Sequence, residues 1–286
     1  MVLPNLGRSV TLDRLIEDFE TAKQTGEAEV VRWATQHLGI ECGVGLHSDR
    51  WRGCDYWLQC ADPTLTPQKI LARADVIVVG VDGGGLDDLL GLAVIGRDKE
   101  TRQWMMWNKA WCHSGVLELR KSEAGRLRDF ERDNSLRIID RLPLDIEELV
   151  DTIAEIDESG LLSAVGLDPA GIGGIVDALA ARGIQNEDGH PDRVVGVTQG
   201  FRLQGAIKTL ERKLCDGTIT HCGQPLMNWC VGNAKIELRG NAIMVTKAAS
   251  GVGKIDPLMA AFNAVELMSR DPEGMPYADG RELMVI

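Results

Sequence analysis

Three short apolar runs follow one another almost without interruption: VIVVGVD at 76–82, LLGLAVIGR at 89–97 and WMMWNKAW at 104–111. Each is too short for a buried helix and rich in β-branched or aromatic residues, the pattern of buried strands. Their close spacing leaves room only for turns, so they predict an antiparallel meander. The pattern then changes. Leu144 to Ser159 reads as a helix with acidic residues near its start, SAVGLD at 163–168 as a strand, Ala170 to Arg182 as a helix and RVVGVT at 193–198 as a strand. That alternation implies parallel pairing. Helices are expected at Gln204–Cys215, Gln224–Val231 and Ile255–Met268, with a hairpin at 236–247 turning near Gly240 and Asn241. The expected fold is α/β, a mixed sheet with helices on its faces, in the element order of a ribonuclease-H-like domain.

Ahead of this core, Thr11 to Ala22 and Glu27 to Leu38 read as helices, and a Gly, Cys and Trp stretch ending in ADPTLTP has no clear period. The expected organisation is a helical appendage over 1–73, a core domain over 74–270 and a loose tail over 271–286. No apolar run reaches the length of a membrane span, and the start has no charged head before an apolar stretch, so a cytoplasmic protein without contact to membranes is expected. Seven cysteines, none in a Cys-x-x-Cys pair, fit reduced thiols. Cys42, His47, Cys54 and Cys60 match no standard zinc spacing.

Three aspartates stand at predicted element ends. Asp82 ends the first strand, Asp168 ends SAVGLD, and Asp256 opens the last helix. Carboxylates gathered at one sheet rim suit hard divalent ions, which take oxygen ligands. From the residues alone a second reading competes. Asp168-Pro169 and Asp256-Pro257 are also good helix starts, with Asp as cap and Pro in the first turn, and Asp82 before three glycines suits a turn.

The blocks around these aspartates carry a resemblance. GVDGGGLDDLLGLAVIG resembles the start of the nuclease domain of phage terminase large subunits, where one Asp on the first strand is followed by another six residues on, as Asp82 is by Asp88. GLDPAGIG resembles the family's second carboxylate strand and places Asp168. LERKLCDGTITHCGQPLMNWCVGNAKIEL is similar to a family passage with His, Pro, Trp and Asn, here His221, Pro225, Trp229 and Asn233. KIDPLMAAFNAV resembles the final metal-binding helix and places Lys254 and Asp256. The four blocks cover roughly residues 76–268, and the N-terminal part is similar to the linker after the family's motor ATPase domain.

The resemblance implies a metal-dependent endonuclease that cleaves double-stranded DNA during phage genome packaging. Asp82, Asp168 and Asp256 are the implied catalytic residues and hold two Mg²⁺ or Mn²⁺ ions, with Asp88, in preference to Asp87, as a further metal residue. Implied partners are double-stranded DNA, the motor ATPase domain, the small terminase subunit and the portal. The ATPase domain's motifs are not in this sequence, so a fragment or a truncated relative is expected. Gly83, Gly84 and Gly85 stand where many members have Ser or Thr, and Ile255 precedes Asp256 where some related nucleases have a second acid.

The formal charge of −12 sets this chain apart from most nucleic-acid binders, whose affinity draws on a basic face. DNA contact then rests on a local strip, for which Arg202, Lys208, Arg212, Lys213 and Lys254 are the expected residues. Two other functions use the same features. An actin-like or sugar-kinase-like ATPase shares the core, and VDGGG resembles its first phosphate motif, but Leu86, Asp87 and Asp88 follow where Thr or Ser would contact phosphate. A non-catalytic packaging scaffold would keep the fold without metal, and loss of one of the three aspartates would mark it. GVGK at 251–254 lacks the earlier Gly and the following Ser or Thr of a phosphate loop. His221 reads as a base or, more simply, as a packing residue near Trp229.

Overall fold

The computed structural model describes residues 11–26, 29–30, 33–34, 49–169, 173–240, 242–247 and 253–273. The second N-terminal helix, most of the tail, Cys42, His47 and the start of GVGK lie largely or wholly outside these residues. Among the described residues no helix is long and apolar enough to cross a membrane.

Helix α1 spans Leu12–Thr25, with the Thr11 hydroxyl accepting from the Arg14 amide at 3.4 Å. The short α2 (Cys54–Trp57) and α3 (Pro67–Arg73) lead into the sheet. Trp51 and Trp57 are fully buried and pack with the helices of the main core. The Trp51 amide donates to the Ala234 carbonyl at 3.1 Å, which ties this N-terminal segment to the far end of the chain.

Strands β1 (Ala74–Gly83), β2 (Leu90–Asp98) and β3 (Trp104–His113) form the expected antiparallel meander, with Gly80 opposite Ala93 and Ile95 opposite Met106. All nine residues of β2 are buried, which is why its sequence is a continuous apolar run and not an alternation. Helices α4 (Gly115–Leu119) and α5 (Ala124–Arg132) then lead to β4 (Leu136–Ile139), which runs parallel to β3. Helix α6 (Leu144–Glu158) buries Leu149, Val150, Ile153 and Ile156, spaced three and four apart, and carries Asp145 and Glu147 in its first turn where the helix dipole favours them.

Strand β5 (Leu162–Leu167) pairs parallel to β1, helix α7 spans Gly173–Ala180, and β6 (Val194–Gly196) closes that edge. Helix α8 (Gln204–Cys215) precedes β7 (Ile219–His221), which pairs parallel to β3 at the end away from β4. Helix α9 (Pro225–Asn233) leads into a separate hairpin, β8 (Ala234–Arg239) and β9 (Ala242–Lys247). The chain then reaches α10 (Asp256–Met268). The central sheet has the order β4-β3-β2-β1-β5-β6, with β7 beside β3.

Each sheet face is covered. α6 and α7 pack on one, and α8, α9 and α10 on the other. α10 buries eleven of its thirteen residues, the mark of a helix enclosed on every side. It lies so close to β1 that a Cβ on Gly80 would sit 2.0 Å from the Ala260 carbonyl oxygen and 2.4 Å from the Ala264 nitrogen. This is a mixed α/β fold with a central mixed sheet flanked by helices.

Candidate active site

The direction of α10 sets Asp256 at the same end of the sheet as Asp82 and Asp168. Gly80 of β1 stands beside Gly166 of β5 in register, and Cβ atoms built on both would meet α10: Ala260 and Ala264 at Gly80, the Leu267 side chain at Gly166. Side chains alternate along a strand, so residues two positions on face the same side. Those residues are Asp82 and Asp168, one step beyond the last matched pair, Val81 with Leu167. Adjacent strands lie about 4.8 Å apart, so the two carboxylates leave neighbouring strand ends toward the α10 face.

Helix α10 runs back along β1 from this rim, and Asp256 is its first residue. A Cβ on Gly91, which pairs with Asp82, would lie 3.0 Å from the Asp256 carbonyl carbon; one on Gly83 would lie 3.0 Å from the Asp256 Cβ. Glycine at both positions leaves the room that Asp256 occupies. The cap position of α10 is Ile255, without a side-chain cap, so Asp256 lies inside the helix. Asp256 is 5% exposed, whereas Asp82 and Asp168 are half-buried. Residues 170–172 lie outside the description, and α7 begins at Gly173.

The ends of β1 and β5 and the start of α10 thus carry Asp82, Asp168 and Asp256 at the same rim of the sheet. Among the described residues no three His, Cys, Asp or Glu side chains are gathered closely enough to hold a metal ion. By chemistry the donor set suits a hard divalent ion, because all three residues offer carboxylate oxygen, and the glycines at 83 and 91 let α10 bring Asp256 up to the strand ends. The nearby Cys230 thiol is fully buried. Its pKa is pushed well above the usual thiol value, first by burial and then by the Asp256 charge, so it stays protonated and does not compete as a soft ligand.

The β1–β2 turn borders this rim. Gly83, Gly84 and Gly85 have φ of +85°, +109° and +106°, a path that other residues rarely take. Asp87 is held by Arg120 through two bonds of 3.0 and 3.1 Å. Asp88 pairs with Lys254, whose ammonium also donates to the Asp87 carbonyl. Lys254 is 2% exposed and lies within the fold, not on a surface strip.

The other expected basic residues lie apart from the rim in sequence and fall in two settings. Arg202 and Lys208 are exposed, and the Arg212 side chain is 85% exposed beside Asp216. The Lys213 ammonium instead sits over the Trp104 ring, 4.0 Å from its centroid, and burial lowers its pKa.

His221 is a packing residue. Its ring stacks on Trp57 at 3.9 Å, and the Gly223 amide donates to Nδ1 at 3.1 Å. The proton is then on Nε2, which donates to the Trp57 carbonyl at 2.7 Å. Burial pushes its pKa down to about 4.

Comparison with known proteins follows the same lines. Residues 1–271 match the family described as terminase large subunit, endonuclease domain. The terminase large subunit of Lactococcus phage p2 is 28% identical over 275 residues, which cover 95% of this chain and 48% of that protein. Protein YmfN of Escherichia coli (strain K12) is 23% identical over 271 residues, 92% of this chain and 57% of its own. The crystal structure of the HK97 bacteriophage large terminase superposes with a TM-score of 0.59 at 22% identity, over 92% of this chain and 52% of that one. The chain therefore spans about half the length of the curated relatives it matches. With the family model covering nearly all of its residues, this chain belongs to the terminase large subunit endonuclease-domain family.

Proposed function

We propose that this chain is a metal-dependent endonuclease that hydrolyses phosphodiester bonds of double-stranded DNA during phage genome packaging. The observation that supports the reading is the register that sets Asp82 and Asp168 at neighbouring strand ends on the α10 side, with Asp256 at the near end of α10. The family's description as an endonuclease domain supports it. The three carboxylates would hold two Mg²⁺ or Mn²⁺ ions, which supply a polarised water and charge to stabilise the leaving oxygen. The protein's part is to keep three like charges side by side. Asp256 stands in the first turn of α10, and the buried length of α10 closes one wall against water. Asp82 and Asp168 are half-buried, so both keep some contact with solvent and would be the carboxylates that a DNA backbone approaches.

Arg202, Lys208 and Arg212 are the exposed cations proposed to grip phosphates. In the whole packaging machine the partners would be the motor ATPase domain, the small terminase subunit and the portal. The nuclease unit is proposed to occupy residues 74–270 behind an N-terminal connector.

Plasmid cleavage in Mg²⁺ or Mn²⁺, with and without a chelator, tests this. Cleavage is expected with metal and none with chelator. Asp82→Asn should keep its circular dichroism spectrum and lose nearly all activity, because a neutral amide oxygen is a poor ligand for Mg²⁺. Normal cleavage by that variant would overturn the assignment.

A further inference from the structure

The turn between β1 and β2 carries two carboxylates, and each meets a cation from a different part of the fold. Arg120, at the end of α4, grips Asp87 with Nε to Oδ1 at 3.0 Å and Nη2 to Oδ2 at 3.1 Å, the paired geometry that guanidinium and carboxylate favour. Lys254, two residues ahead of Asp256, reaches the turn from the other side and bonds both the Asp88 carboxylate and the Asp87 carbonyl. The Lys254 side chain is 3% exposed. Its own carbonyl accepts from the Asn233 amide at 3.1 Å, so the lysine is anchored from behind by α9. Gly253 before it passes so near Asn233 that a Cβ there would lie 2.7 Å from the Asn233 Cγ.

The turn has little stiffness of its own. Three successive glycines open it, and the backbone closes through the Gly84 amide on the Leu89 carbonyl at 2.9 Å. Its shape is therefore set by the two cations. Burying an ammonium is costly unless it is paired, so the Lys254–Asp88 pair is a fixed contact and not a solvated one. If Asp88 left Lys254 to bind a divalent ion, it would strand a buried ammonium beside that ion, with like charges facing each other.

We propose that Lys254 and Arg120 are positioning residues that staple the turn after Asp82 to the segment leading into Asp256, and that Asp88 serves the site by holding Lys254 and not as a metal ligand. This rests on the reading of Asp82, Asp168 and Asp256 as the metal-holding set.

The test combines calorimetric titration with Mn²⁺ alone, steady-state DNA cleavage, and melting temperatures. The variants are Asp82→Asn, Asp88→Asn, Lys254→Met, Lys254→Arg, Arg120→Gln and the double variant Asp88→Asn with Lys254→Met. Asp88→Asn should keep its Mn²⁺ affinity within about tenfold of the parent, while Asp82→Asn loses binding. Lys254→Met should lower kcat about 10- to 100-fold with KM for DNA unchanged, and Lys254→Arg should restore part of it. The double variant should melt higher and cleave faster than Lys254→Met alone, because the half-buried Asp88 carboxylate left without its cation is gone. Arg120→Gln, at a more exposed pair, keeps the test alive if Lys254→Met does not fold; it should lower kcat several-fold without changing Mn²⁺ affinity. Loss of Mn²⁺ binding in Asp88→Asn as complete as in Asp82→Asn overturns the proposal, as does a double variant no better than the product of its singles, or parental kcat in both Arg120→Gln and Lys254→Met. If Asp82→Asn itself still binds Mn²⁺ and cleaves, the carboxylate reading fails, and the staple is judged separately by the coupling in melting temperature.

Discussion

His221 shows how much one residue's surroundings decide. Its motif position allowed a catalytic base, but the ring is stacked on Trp57 and both nitrogens are engaged within the fold. Burial lowers its pKa from the ordinary 6.5 to about 4. The unfolded chain therefore takes up this proton first as pH falls. The stability contributed by the neutral ring is complete above about pH 6.5 and is lost progressively as pH drops toward 4. Melting temperature should fall across that window, and His221→Gln should flatten the fall, since glutamine keeps a donor and an acceptor without titrating. An unchanged pH slope in the variant would assign the effect to other groups. The positions of the three aspartates were legible at this scale for a different reason: each stands at or next to the end of an element. What sequence could not settle for Asp256 was capping against a place inside the helix, because Asp-Pro serves both; Ile255 at the cap position decides it. The bond from Lys254 to Asp88 spans 166 residues and leaves no local signal at all.

At the scale of elements, the contact between α10 and the β1–β2 pair governs the rim, and glycines set its closeness. A Cβ on Gly91 would lie 2.7 Å from the Pro257 Cα and 2.8 Å from its nitrogen. Both are backbone atoms, so no side chain can rotate away and the start of α10 must move. Gly91→Ala is expected to displace Asp256 and lower cleavage by on the order of 100-fold, the effect of roughly an ångström of misplacement. Gly125→Ala in α5 is the control: its Cβ meets nothing within 4 Å, and it should stabilise by about 1 kcal/mol through helix propensity. Parental cleavage by Gly91→Ala would mean that this packing does not set the site. The meander was readable because its strands are unbroken apolar runs separated only by turns, and the long helices because apolar residues recur three and four apart. β4 and β7, with four and three residues, are too short to show one, and both owe their place to β3, far away in sequence. Trp51 and Trp57 lie in a stretch without period, yet they are buried in the main core because β8 and α9 come back to meet them.

For the whole molecule, charge limits how DNA can be held. At −12 the long-range field repels a polyanion, so attraction must be local. Of the five expected cations, Lys254 is buried and Lys213 lies over Trp104, which leaves Arg202, Lys208 and Arg212 in contact with solvent. Contacts from such side chains to phosphates position the duplex and carry no base information. Each adds about 0.9 to the slope of log affinity against log salt, so three predict a slope near 2.7 and roughly a 40-fold loss between 50 and 200 mM salt. Cleavage at limiting DNA should follow the same curve and should differ little among unrelated sequences. Replacing Arg202, Lys208 and Arg212 together by Gln should flatten the salt dependence toward zero and weaken binding alike on every DNA. A packaging complex would tolerate such weak contact, because tethering to other DNA-bound parts raises the local concentration of substrate. A cleavage assay on several unrelated linear DNAs across a salt series, for the parent and the triple variant, decides the matter. Discrete sequence-defined cuts that persist at high salt would contradict it and would mean that this domain reads bases itself.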